Sequence, residues 1–232
     1  MSATGVFFSF EGIEGSGKTT QLELASKALE EGGCLVFHTR EPGGTAIGEK
    51  IRSVLLGAEH RDMSPIAELL LIQACRAQLM AEKIRPELEQ GKVVLCDRFT
   101  DATLAYQGYG RGLNLDLIEF LNRTASGGIE PDLLLLFDCP VAEGFQRLQR
   151  RYQEAGKPEA WKGPDRMEAE GRLFHEKVRQ GYLALASSRG TRIRVLDATR
   201  DRSAIHQEVM VHIWRTIKDK GCLLTKSSDR IV

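Results

Sequence analysis

A chain of 232 residues can bury one sizeable core, and no linker or composition shift divides it, so one domain is expected over residues 1–217, followed by a polar tail over 218–232. Lys plus Arg and Asp plus Glu both total 32, so the net charge is zero and a broad basic surface for nucleic acid is excluded. Five cysteines lack C-x-x-C or metal-ligand spacing and no apolar run is long enough to cross a bilayer; a cytoplasmic protein with no nucleic-acid or membrane partner is expected.

The first element is a strand. Val6, Phe7, Phe8 and Phe10 carry the β-branched and aromatic bias of a buried one. It runs into G-I-E-G-S-G-K-T, where Gly12, Gly17, Lys18 and Thr19 fit the phosphate-loop spacing G-x-x-x-x-G-K-[ST]. Glycines let consecutive N–H groups turn inward around a phosphate, so Gly12, Ile13, Glu14, Gly15, Ser16, Gly17, Lys18 and Thr19 form a candidate phosphate-binding site. Lys18 supplies a cation for the outer phosphates, and the hydroxyl of Thr19 is a ligand suited to Mg²⁺. Leu22, Ala25, Ala28 and Leu29 then recur at helical spacing, which aims the positive end of a helix at the same spot. A strand-to-helix turn that binds nothing is the plain alternative, and the combined register argues against it.

A second strand is expected at Cys34–Thr39, leading into R-E-P-G-G-T at Arg40–Thr45, a shaped loop that can continue neither strand nor helix. A helix through Ile47, Ile51, Val54 and Leu55 carries Arg52. Ser64-Pro65 reads as an N-cap with proline at the first helical position, opening a helix that runs to Gly91 with a kink at Pro86. Ile72 and Arg76 share a face of it. Lys92–Cys96 is a third strand ending in Asp97-Arg98-Phe99, followed by helical segments near 100–108 and 113–126. Pro131 opens a fourth, nearly all apolar strand, L-L-L-L-F. Val141–Tyr152 is a helix bearing Arg147, Arg150 and Arg151. Residues 153–164, with two glycines and two prolines, read as a mobile flap; Asp165–Arg189 resumes a helix, Arg192–Leu196 is a fifth strand and Ile205–Ile217 a last helix.

Strands alternating with helices predict a three-layer α/β/α domain on a parallel sheet, with ligands at the carboxyl ends of the strands. The phosphate loop, Arg40-Glu41, Asp97-Arg98 and Asp197 should all emerge there.

In this order, G-I-E-G-S-G-K-T-T, T-R-E-P-G-G-T, D-R-F, L-A-Y-Q-G and, after an arginine-bearing lid at about 150–165, D-R-M-E resemble the thymidylate kinases, from about Val6 to Trp214. The resemblance implies a P-loop NTPase-type fold with a parallel five-stranded sheet and a mobile lid. It also implies transfer of the γ-phosphoryl group of ATP to dTMP, giving dTDP and ADP with Mg²⁺, and a homodimer. It makes Asp97 an organiser of Mg²⁺ through water, Arg98 and Arg52 contacts to the acceptor's phosphate, and Glu14 the receiver of its 3′-hydroxyl. Arg76 and Gln107 would face the base, Tyr106 the sugar, and Arg40, Pro42, Ile72 and Thr103 the rest of the acceptor pocket. The Glu41-Pro42 bond is expected to be cis.

Simpler readings stand beside these. Asp97 is also a helix cap, Arg98 a salt-bridge partner, Tyr106 a core aromatic, and Asp165 with Glu168 a capping box. The charge-stabilising arginine of the family sits either in the loop, where this chain has Gly15, or in the lid, where Arg147, Arg151 and Arg166 are candidates. Two positions depart from the family pattern: Ile72 replaces a phenylalanine, and Ala102 replaces a hydroxyl-bearing residue. A kinase for another pyrimidine monophosphate, or a catalytically silent nucleotide switch, are the rival readings.

Overall fold

A computed structural model describes residues 5–154 and 165–221. Its centre is a five-stranded sheet in the order β2-β3-β1-β4-β5, with every neighbouring pair parallel. β1 (Val6–Glu11) is buried along its whole length and hands the chain to the phosphate loop and α1 (Lys18–Glu31). β2 (Val36–Arg40) and α2 (Ala46–Leu56) follow, α2 being capped by the Thr45 hydroxyl, which accepts from Gly48 N at 2.9 Å. Ser64 caps α3 (Pro65–Leu79) with Pro65 in its first turn, as the sequence indicates.

The helix does not run unbroken to Pro86. Met80–Ile84 form a wider π turn in which Arg85 N reaches back to Met80 O, and α4 (Arg85–Glu89) resumes beyond it. Pro86 has no N–H and its ring would strike the carbonyl four residues back, so the distortion falls on the turn before the proline. β3 (Val93–Asp97) is followed by the single turn α5 (Thr100–Thr103) and a second π turn over Leu104–Gly110. Then come α6 (Leu115–Ser126), β4 (Leu133–Asp138) and α7 (Val141–Glu154). The segment expected to be a flap lies largely outside the described residues.

A helix does not resume at Asp165. Asp165 Oδ1 accepts from Met167 N and Glu168 N while Asp165 N donates to Glu168 Oε2, a reciprocal capping box that closes a turn; α8 (Arg172–Arg189) starts only after Gly171. β5 (Ile193–Asp197) and α9 (Arg202–Asp219) complete the fold. Alternation along β1 separates two packed faces: Val6, Phe8 and Phe10 join Leu22, Ala25, Leu29, Val209 and Ile213, whereas Phe7 packs with Leu79, Ile84 and Phe99. The layers are those of a P-loop NTPase-type α/β fold. Register decides where chemistry can occur. Phe10 lies beside Asp97, and Asp97 beside Arg40, so the loops leaving β1, β2 and β3 converge at one edge. Among the described residues no helix is long and apolar enough to cross a membrane.

Candidate active site

At that edge the phosphate loop takes up backbone angles that side chains disfavour, with positive φ at Gly12, Gly15 and Gly17. Gly15 is further constrained, because a Cβ there would lie 2.2 Å from Gly144 O of α7. Position 15 therefore cannot carry a side chain without displacing α7, and an arginine in the loop is excluded by contact as well as by sequence. Lys18 is buried and its Nζ lies 3.4 Å from Ile13 O; burial first and Arg98 second pull its pKa below the usual value, with Asp97 and Glu14 opposing. Thr19 Oγ1 donates to Asp97 Oδ2 at 2.5 Å. These two hard oxygen donors at the loop mouth suit a cation such as Mg²⁺, which takes one or two protein oxygens and completes its shell with water and phosphate.

Arg98 is the bridge between the loop and the neighbouring wall. Its Nη1 donates to Gly12 O at 2.8 Å and Tyr182 Oη at 3.2 Å, its Nη2 to Glu14 Oε1 at 2.8 Å, and the guanidinium lies 4.8 Å from the Tyr106 ring centre. Tyr106 donates to the same Glu14 carboxylate, with oxygens at 2.7 and 2.8 Å, because burial above all pushes its phenol well above the ordinary value and keeps the proton on oxygen. His175 Nδ1 approaches Glu14 Oε2 at 3.2 Å. Burial alone would raise the Glu14 pKa, but Arg98, His175 and Lys18 together hold it far below the carboxylate range.

The wall beyond Arg98 is a buried polar lattice. Arg76 is 1% exposed and donates to Glu41 Oε2 through Nε at 2.8 Å and Nη2 at 2.6 Å, to Asn122 Oδ1 at 2.6 Å, and to Thr103 Oγ1 at 2.9 Å. With its nitrogens occupied by protein acceptors, it lines the cleft without a free donor. Glu68 accepts from Gln107 at 2.8 Å, from Arg111 at 3.0 Å and from Arg166 at 2.6 Å. Burial opposes its charge, yet Arg111, Gln107 and Arg166 hold its carboxyl below the usual pKa. Ile72 lies half-buried between Glu68 and Arg76 on the cleft side of α3, and Ala102 also faces the cleft. The Glu41-Pro42 bond is cis. Pro42 O accepts from Arg52 at 2.7 Å, while half-exposed Arg40 pairs with Glu49 at 3.0 Å.

The three candidate charge-stabilising arginines differ in how firmly they are held. Arg166 is buried, held by Glu68 and by Leu55 O at 2.8 Å, so it anchors the turn before α8 to α2 and α3. Arg147 donates to Glu143 and, at 2.9 Å, to Ala198 O. Arg151 is 66% exposed, with a 3.6 Å ion pair to Glu168 and its guanidinium 5.4 Å from the Tyr152 ring centre. All three border the same cleft as the phosphate loop.

Sequence reading missed Glu68, Asn122, His175, Tyr182 and the inward role of Glu11. Glu68 was within reach, since it precedes Ile72 by four and Arg76 by eight on one helix face. Tyr182 was not, because its hydroxyl enters the site only through the way α8 packs against the Leu104–Gly110 turn.

The sequence model of the family described as "Thymidylate kinase" matches residues 10–209. A thymidylate kinase of Pelotomaculum thermopropionicum is 48% identical over 206 residues, covering 89% of this chain and 91% of that one. One from Geobacter sulfurreducens is 51% identical over 193 residues, covering 83% and 89%. The crystal structure of thymidylate kinase from Ehrlichia chaffeensis superposes with a TM-score of 0.70 at 31% identity, covering 90% of this chain and 99% of that one. Phosphate loop, fold and overall similarity agree, and the chain belongs to the thymidylate kinase family.

Proposed function

We propose that this protein transfers the γ-phosphoryl group of ATP to the phosphate of dTMP, giving dTDP and ADP, within a single kinase domain over residues 1–217 whose lid spans about 150–165. One observation carries the reading: the phosphate loop and the acceptor wall open into one cleft of about 970 Å³, with Arg98 standing between them. Such a cleft has room for two nucleotides end to end, with their phosphates meeting at Arg98 and Lys18.

Phosphoryl transfer asks the protein mainly for alignment and for cationic charge around the moving group. Backbone N–H groups of residues 12–19 and the ammonium of Lys18 hold the ATP phosphates. Arg98 turns its guanidinium fork to the acceptor's phosphate, matching its oxygens as no ammonium can, and Arg52 reaches the same phosphate from α2. Thr19 and Asp97 would hold Mg²⁺, which when bound neutralises phosphate charge. Glu14, kept anionic by Arg98 and His175, accepts the 3′-hydroxyl of the acceptor, while the Tyr106 ring closes the sugar side. Gln107, Thr103 and Ile72 border the base, with Arg76 fixing Thr103 in place. Ile72 offers apolar contact without the planar face of phenylalanine.

Replacing Arg98 by Ala should raise KM for dTMP by at least about tenfold, the loss of one charged hydrogen-bonding partner, and leave KM for ATP within about threefold. Equal changes in both constants would send the acceptor phosphate elsewhere.

A second copy of the chain is the natural cover for the adjoining helices α2, α3 and α6, which leave Val54, Ile66, Leu70, Leu117 and Phe120 exposed, Phe120 to 68%. Sedimentation equilibrium should therefore find a dimer that Phe120→Glu weakens; a monomer at all accessible concentrations would refute it.

A further inference from the structure

Glu11 closes β1 immediately before the phosphate loop, and it is completely buried. The reading of the reaction above gives it no task. Its two oxygens are nevertheless both engaged. Oε1 accepts from Phe99 N at 2.7 Å and Oε2 from the Tyr182 hydroxyl at 2.8 Å. The Tyr182 oxygen in turn accepts from Arg98 Nη1 at 3.2 Å. One carboxyl thus reaches Arg98 from two directions, through the backbone that follows it and through the phenol that braces its guanidinium.

Arg98 needs such bracing. Among the described residues it is the one non-glycine with positive φ, 72°. A side chain disfavours that conformation, which persists only where the surroundings over-determine it. Here the constraints are Arg98 N donating to Phe10 O at 3.0 Å, Cys96 Sγ donating to Arg98 O at 3.0 Å, and Phe99 N donating to Glu11. Two of the three come from consecutive residues of β1. The backbone kink is what turns the Arg98 side chain back over the loop toward Gly12 O and Glu14 rather than onward along β3.

The charge state of Glu11 fits this task. Burial first, and the neighbouring Asp101 second, push its pKa up to about 8 against the pull of Arg98 and the bonds from Tyr182 and Phe99. Burial thus works against a full negative charge on Glu11, so it braces Arg98 while opposing less of the positive charge that the phosphates require.

We propose that Glu11 is a positioning residue of the acceptor-phosphate site, which through Phe99 N–H and the Tyr182 hydroxyl fixes both the backbone and the guanidinium of Arg98. The inference rests on the reading that Arg98 binds the acceptor's phosphate. A residue serving only the fold would alter stability and affect both substrates alike.

Steady-state kinetics with ATP and dTMP on E11A, E11Q, Y182F, E11A/Y182F and R98A test it. Alanine leaves Phe99 N–H and Tyr182 unsupported, and KM for dTMP should rise at least about tenfold in E11A and about threefold in Y182F, with KM for ATP within about twofold. Gln keeps the volume of Glu and a carbonyl for Phe99 N–H, the bond that fixes the backbone after Arg98, so E11Q should recover most of what E11A loses. Because both groups act on one arginine, the double variant should fall well short of the product of the singles. Parallel changes in both KM values, E11Q as impaired as E11A, or a multiplicative double variant would each overturn the proposal. Should E11A not fold, Y182F, which deletes a single oxygen, decides by the same split. If R98A spares KM for dTMP, the acceptor reading falls and this inference with it; if R98A raises that KM while E11A and Y182F do not, only this inference falls.

Discussion

Lys18→Ala is expected to lower kcat by on the order of a thousandfold, the upper range for deleting one preorganised charge that meets developing charge on a transferring group. The structure separates this loss from any loss of fold. Lys18 is buried, yet its ammonium makes only a 3.4 Å approach to Ile13 O, and its pKa is held below the usual value chiefly by burial. A buried cation with one weak hydrogen bond, its attraction to Asp97 and Glu14 outweighed by burial and Arg98, contributes little to stability, and its removal relieves a desolvation cost. The thermal midpoint should therefore stay close to that of the unaltered protein, or rise. A folded Lys18→Ala protein with near-normal turnover would show that residues 12–19 do not hold the transferred phosphate.

The second large effect belongs to the arginines of α7. Gly15 offers no cation, and Gly144 O at 2.2 Å from a notional Cβ leaves no space to introduce one, so any cation besides Lys18 and Arg98 beside the moving phosphoryl group is expected from α7 or beyond. Arg166 is locked to Glu68, and Arg147 is held by Glu143 and Ala198 O. Arg151 is the freest of the three, since an ion pair at 3.6 Å with its arginine 66% exposed adds little. Arg151→Ala should lower kcat by on the order of a hundredfold or more, as expected for an arginine that reaches the transition-state charge, with a smaller effect from Arg147→Ala. Single-turnover measurements on both variants and the double variant check this. If no combination changes the chemical step by more than a few fold, the charge comes from another residue.

What the sequence made legible follows from how local each signal is. The strand, glycine loop and helix of residues 6–31 are encoded by neighbours, and their composition places them correctly. So does Ser64-Pro65, where cap and proline act within one turn. The end of that helix is less legible, because Pro86 reveals that a distortion must occur but not that the widened turn at Met80–Ile84 will absorb it. Asp165 misled for a related reason: a capping box marks a turn that a helix can follow, and here Gly171 intervenes before α8 begins. The site itself divides in the same way. Arg98, Glu14 and Tyr106 are carried by short motifs, whereas the bond from Tyr182 to Glu11 joins residues 171 apart and depends on packing alone. Arg76 shows the intermediate case, in which the residue was legible but not its saturation by Glu41, Asn122 and Thr103.

The wall facing the phosphate loop should select dTMP as acceptor. ADP release measured with saturating ATP across dTMP, dUMP, dCMP, CMP and AMP tests it most directly. dUMP differs from dTMP by one methyl group, and an apolar pocket bordered by Ile72 should favour the methylated base by about tenfold or more in kcat/KM, with the cytosine and adenine nucleotides further behind. A different monophosphate equalling or exceeding dTMP, or ADP release that does not depend on any acceptor, would contradict the account.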